Sequence, residues 1–187
     1  MAAFRSKRHW LVISSLAASF VLFGCKKNAG GPDDEDGPPD EDGVSMPDGL
    51  FLSSPPADAK GVGEIKSKAK PGQKVVIRGR IGGSKDPFVK GQALMTIVDP
   101  KLVSCADNMP DKCDTPWDYC CEPKDSLAAN MATIQYSDVK GNPLKSGFRG
   151  KHGIAALKTV VISGKVHKDS TKDNLIVVAE GLFVEPK

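Results

Sequence analysis

Two seven-residue stretches, VVIRGRI at 75–81 and VVISGKV at 160–166, constrain this chain more than any other part of its 187 residues. In the first, Val75, Ile77 and Ile81 fall on one face and Val76, Arg78 and Arg80 on the other. That is the period-two alternation of a half-buried strand. The second repeats the texture, with Gly164 where the first has Gly79 and Lys165 where it has Arg80. Glycine inside a strand marks a bend or a close approach, and two bent strands of one pattern suit a closed barrel better than a flat sheet. Further strands are expected at 93–99 (ALMTIVD), 132–137 (ATIQYS) and 175–184 (LIVVAEGLFV), with a short helical turn at 154–158. The chain is read as all-β.

Five strands, a glycine-bent first strand and a helical turn between the third and fourth resemble the OB fold, a five-stranded Greek-key barrel. The resemblance implies that the first and fourth strands are neighbours closing the barrel, which suits the echo between 75–81 and 160–166. A small β-sandwich is the competing architecture. The departure from a minimal OB barrel is residues 100–131, an insertion between the second and third strands where such barrels usually make a short turn. Loops of that length are functional or specially held. SKDPFVKGQALMTIVDP and CDTPWDYCCEP together are similar to a group of exported planctomycete-type bacterial proteins, which implies an envelope setting and no particular activity.

The N-terminal part sets the compartment. Arg5, Lys7 and Arg8 precede the apolar run WLVISSLAASFVLFG, too short to span a bilayer comfortably, so residues 1–24 read as a signal peptide. The run ends in Leu22-Phe23-Gly24-Cys25, which resembles the bacterial lipobox. That resemblance implies lipidation of Cys25, and Lys26 after it implies sorting to the outer membrane, facing the periplasm or the cell surface. Residues 25–60 follow as an acidic, Gly/Pro-rich stretch expected to be a disordered tether, leaving 61–187 as the folded domain. The whole chain carries a formal charge of +3; without Arg5, Lys7 and Arg8 it holds 23 basic and 23 acidic residues. Tether and domain differ, with nine acids and three lysines in 26–60 against 14 acids and 20 basic residues in 61–187. A basic domain on an acidic tether points to an anionic partner.

Four of the five cysteines, Cys105, Cys113, Cys120 and Cys121, lie in the insertion. Their separations of seven residues, six and none lack the CxxC knuckles of structural zinc sites and of thioredoxin-like exchange. Adjacent side chains such as Cys120 and Cys121 point apart in extended chain. An exported protein meets an oxidising environment, so the expectation is two disulfides linking Cys105 and Cys113 to the Cys120–Cys121 pair, with no bound metal or cofactor. Metal or redox handling by the cluster is the alternative. Trp117 and Tyr119 are expected to pack against the bridges as a miniature core, or to stand exposed as a recognition patch.

OB barrels bind ligands across strands two and three, between the loops joining strands one to two and four to five. Transferred here, that face would carry Lys85, Phe88 and Lys90 on one loop, Lys168 and Lys172 on the other, and Tyr136 on the third strand. The plainer reading makes the lysines solubilising and the two rings core. No HExxH, GxSxG or Walker motif occurs, and outside the signal only His152 and His167 are available for acid–base work. The function expected is a noncatalytic, membrane-anchored envelope lipoprotein. It would act as a binding or assembly module for a protein, a glycan or another anionic ligand. The alternative is an OB-type nucleic-acid-binding protein, which requires Phe88 and Tyr136 to be exposed for stacking.

Overall fold

The computed structural model describes residues 45–108 and 113–186. The expected signal peptide, Cys25 and the tether up to residue 44 lie outside them. Among the described residues six strands form, with β1 at Lys60–Gly61, β2 at Lys74–Ile81, β3 at Leu94–Val98, β4 at Met131–Gln135, β5 at Thr159–Val166 and β6 at Leu175–Val184. β2 pairs antiparallel with β3, β3 antiparallel with β4, β4 parallel with β6, and β6 antiparallel with β5. β5 then returns to β2 through seven paired positions, from Lys74 opposite Lys165 to Arg80 opposite Thr159. That last pairing joins the two stretches with matching sequences and closes a five-stranded, OB-like barrel of mixed strands. One continuous closed sheet leaves no second layer for a sandwich. The two-residue β1 adds in parallel at Ile77 and Arg78, where β2 is not engaged by β3.

Gly79 and Gly164 are there because backbone and side chains crowd them. A Cβ on Gly79 would stand 2.6 Å from Ile97 Cδ1, and one on Gly164 would stand 2.2 Å from the carbonyl oxygen of Val178. Gly164 also sits where the β5–β6 register shifts by a bulge. Bulges steepen local twist, which a small barrel needs to close. Alternate residues face inward: Val75, Ile77 and Ile81 from β2, Met95 and Ile97 from β3, Ile134 from β4, Val160 and Ile162 from β5 and Val177 from β6 are all buried. Each large aliphatic side chain so buried contributes roughly 1.5–3 kcal/mol relative to exposure.

The helical turn expected at 154–158 is instead a 3-10 turn at Lys151–Gly153, bounded by Gly150 and Gly153 at φ 82° and 79°. Ile154 is fully buried in the barrel core, which fixes the chain immediately after the turn. The barrel end is covered from the N-terminal side by α1, Val62–Lys68, which buries Val62 and Ile65. Gly63 N donates to the Asp99 carboxylate at 2.9 Å, while Cβ atoms on Gly61 and Gly63 would collide with Asp99 and Asn130. The GVG sequence there is a packing feature. Lys66 Nζ donates to the carbonyls of Ala128, Asp173 and Met131 at 2.7, 2.8 and 3.1 Å, and desolvation lowers its pKa. One ammonium thus ties α1 to the end of the insertion and to the β5–β6 loop. A second short helix, α2, occupies Lys124–Ala129 inside the insertion.

The expectation of a disordered tether through residue 60 fails from Ser45 onward. Met46 and Leu50 are buried in the barrel core, Asp48–Leu50 form a 3-10 turn, and Leu52 N donates to Leu182 O at 2.8 Å. Phe51 stacks on His152 with ring centroids 3.8 Å apart. Acidic, glycine-rich composition averaged over 35 residues concealed a compact apolar group, Met46 with Leu50-Phe51-Leu52, that has enough area to offset its ordering. Leu50→Ala is therefore expected to lower stability by about 2–3 kcal/mol in urea unfolding. A loss within about 0.5 kcal/mol would mean that this segment does not pack.

Candidate functional site

The insertion leaves the barrel at a narrow neck, where Asp99 N donates to Asn130 O at 2.8 Å. It then folds back over the end of β2. Arg80, expected only to face outward, donates through Nε to Leu157 O at 3.1 Å and through its terminal nitrogen to the carboxylate of Asp107. Asp107 also accepts from Ser104 Oγ at 2.7 Å and from Ser104 N at 3.2 Å. Trp117 donates from its indole to Lys85 O at 3.0 Å and accepts from Gly83 N at 2.8 Å. Tyr119 is fully buried. A Cβ on Gly82 would stand 2.4 Å from the Trp117 carbonyl oxygen and 3.0 Å from the Tyr119 ring. The two glycines after β2 therefore open the surface on which the lobe docks. Tyr119 and Trp117 fasten the lobe to the barrel instead of filling a core of its own, with Trp117 half-buried.

Docking gathers the cysteines. Glu122 N donates to Tyr119 O at 3.0 Å, closing a turn whose two central residues are Cys120 and Cys121. In that turn the adjacent sulfurs come to 4.0 Å, where extended chain would have sent them apart. Tyr119 enters the turn at φ 59°, a left-handed conformation costing about 1–2 kcal/mol for a residue with a Cβ, and its buried ring holds it there. Cys105 Sγ lies 3.4 Å from Cys120 Sγ and 3.8 Å from Cys121 Sγ, and Cys113 Sγ lies 3.9 Å from Cys120 Sγ. Asp118 braces them, accepting from Thr115 Oγ1 at 2.7 Å, from Cys120 N at 2.9 Å and from Cys105 Sγ at 3.8 Å.

The electrostatics of the cluster are uneven. Burial pushes the Cys105 thiol up, but hydrogen bonds from the Cys120 and Cys121 thiols and backbones outweigh it and hold Cys105 below the ordinary thiol value. Cys120, whose proton faces Cys105, Asp118 and Cys113, is raised. Burial likewise raises Tyr119; its hydroxyl feels the opposing charge of Arg80 without a hydrogen bond of normal geometry among the described residues.

The Arg80 hydrogen bond, against some desolvation, lowers the pKa of Asp107. A depressed carboxylate stabilises the folded state above its unfolded pKa, near 3.9, and loses that contribution as pH falls through the folded value. Acidification below about pH 4 should therefore loosen the lobe. Followed by Trp117 fluorescence, Asp107→Asn should show a smaller acid-induced change than wild type. Identical acid profiles would remove Asp107 from the docking.

The residues proposed for an OB-type ligand face do not assemble. Phe88 is 6% exposed, bridges Met95 antiparallel, and carries the Arg149 guanidinium 5.1 Å over its ring, so it is core with a covered face. Tyr136 is half-buried against the same core. Sequence position alone put these rings on the groove; the β2–β3 loop folds inward at Phe88 because its neighbour Pro87 accepts from Thr96 N at 2.8 Å. Lys85 and Lys90 are exposed on that loop, and Lys172 is exposed on the β5–β6 loop. Lys168, also exposed, lines a shallow groove with Gln135, Lys140, Lys165 and His167, which Lys85, Lys90 and Lys172 do not join. Sequence reasoning missed Arg80, Gly82, Gly83 and Asp118; the GG pair directly after a strand was the available signal for a docking surface.

No family model matches the chain, and no curated protein matches it. Among solved structures, the chain is similar to telomere capping protein Ten1 from Saccharomyces pombe, with 13% identity and a TM-score of 0.32 over 66% of this chain and 77% of that one. It is also similar to a chain of the S. pombe Stn1-Ten1 complex, with 15% identity and a TM-score of 0.31 over 68% of this chain and 76% of that one.

Proposed function

We propose that this protein is a noncatalytic binding or assembly module of the bacterial envelope. It is held to the outer membrane by lipid on Cys25, faces the periplasm or the cell surface, and presents the cysteine lobe on an OB-like barrel to an envelope protein, a glycan or another anionic component. The observation that carries this reading is the docking of the lobe. A 32-residue insertion adds nothing to barrel closure, yet Arg80, Gly83, Lys85 and the buried Tyr119 hold it in place. Ordering backbone costs roughly 1–2 kcal/mol per residue, so a chain that meets this cost at an insertion is fixing a surface. The nucleic-acid alternative is weakened by the burial of Phe88 and the packing of Tyr136, which remove the stacking platform it requires. His152 stacks on Phe51, and His167 Nδ1 accepts from Asp169 N at 3.2 Å, placements that suit structure better than acid–base work.

Two measurements bear on this. Wild type should stay in membranes through high-salt and carbonate washes, while Cys25→Ser should be recovered in the soluble fraction, since acyl chains rather than charge provide the anchor. Release of wild type by salt would refute the anchoring. A photo-crosslinker at Val103, an exposed residue of the lobe, should give a discrete adduct in intact cells, whereas one at Val139, exposed between β4 and β5, should give none. Equal labelling from both positions would count against the lobe as the presented surface.

A further inference from the structure

We infer that the lobe is a metal centre in which Cys105, Cys113, Cys120 and Cys121 hold one soft cation, zinc(II), in tetrahedral thiolate coordination. This goes beyond the binding-module reading and does not depend on it. A tetrahedral zinc site with Zn–S bonds of about 2.3 Å places its sulfurs about 3.8 Å from one another. Four of the six sulfur pairs here lie 3.4, 3.8, 3.9 and 4.0 Å apart. Cys120 illustrates the point, because its sulfur has three sulfur neighbours, Cys105, Cys113 and Cys121, and a disulfide can serve only one of them. Sγ of Cys105, Cys113 and Cys120 lie within 4.8 Å of one another, together with a carboxylate oxygen of Asp118, and Cys121 Sγ adjoins this group at 3.8 Å from Cys105 and 4.0 Å from Cys120.

The surrounding chain fits a thiolate cage. The turn at 119–122 turns two adjacent cysteines to one side, replacing the CxxC knuckle that the sequence lacks. Asp118 accepts from the Cys120 backbone and from Thr115, an outer partner of the kind that orients metal ligands. Four thiolates at these distances repel one another, and a divalent cation replaces the thiol protons that now bridge them: on binding, each ligating thiol releases one proton to solvent. Thiolate donors select zinc or copper(I) over hard cations such as magnesium or calcium.

The test uses the full chain carrying Cys25→Ser, so that only the cluster cysteines remain, purified without reductant or chelator. Elemental analysis should give one zinc per chain. All four cysteines should be alkylated in denaturant with chelator and no reductant. Cobalt(II) added to the zinc-stripped protein should give a tetrahedral spectrum with sulfur-to-metal charge transfer. Cys105→Ser should abolish that band or weaken zinc binding at least tenfold; Asp118→Asn should weaken zinc binding about 10–100-fold while keeping the four-sulfur spectrum, which separates a positioning role from loss of the fold. A metal-free protein about 4 Da lighter than its reduced form, with no alkylation before reduction, would overturn the proposal in favour of two disulfides. Four free thiols in a folded chain that takes up no zinc would overturn it as well.

Discussion

Tyr119→Ala should cost about 4 kcal/mol, while Tyr119→Phe should cost almost nothing. The ring is fully buried against Gly82, so truncation leaves a cavity of nearly a whole aromatic side chain at the seam between lobe and barrel. The hydroxyl makes no hydrogen bond among the described residues, so removing it relieves an unmatched polar atom in place of breaking a bond. Alanine would also inherit the left-handed backbone at φ 59° without the ring that holds it. Chemical denaturation of the two variants beside wild type checks the contrast. Equal losses for both would mean that the hydroxyl, and not the packed ring, fastens the lobe.

A second large effect is expected at the barrel seam, where Gly164→Val should destabilise by about 3 kcal/mol or more and leave little folded protein. The Val178 carbonyl oxygen 2.2 Å from the would-be Cβ belongs to the paired β6 backbone, so the strand cannot move aside without breaking its ladder. Gly79→Val meets the Ile97 side chain, with Cδ1 at 2.6 Å and Cβ at 2.9 Å, and no backbone atom among its nearest neighbours, so it should cost less than Gly164→Val. Circular dichroism melts of the two variants test this ranking. The reverse order would imply that β5 and β6 are not paired with the bulge at Ser163/Gly164.

The barrel was legible because alternation and glycine placement are local signals of a half-buried, crowded strand. The segment 175–184 coincides with β6, and 75–81 and 160–166 each match a strand to within one residue. The helix α1 was missed because only Val62, Ile65 and Ala69 mark its buried side, too few to stand out among Gly61, Gly63 and the lysines around them. The packed segment from Met46 was missed because an acidic run beside it dominates the composition. At the site, the clustering of four cysteines was visible, but how the pair at 120 and 121 approaches the others was not. That depends on a left-handed residue, Tyr119, whose conformation is imposed by a barrel surface distant in sequence. Phe88 and Tyr136 were misplaced for a related reason: an aromatic ring near a loop carries no sequence mark of which side of the sheet it will take.

If the insertion is a fixed platform on the barrel, hydrogen exchange of the whole chain will register it. The amide of Gly83, donating across the seam to Trp117, and that of Glu122, donating within the lobe to Tyr119, should be protected well above those of an unstructured chain and should lose protection in Tyr119→Ala before β2 and β5 do. Exchange of residues 104–108 and 113–122 at free-chain rates in wild type, beside a fully protected β2–β5 ladder, would mean that the lobe is not fixed to the barrel.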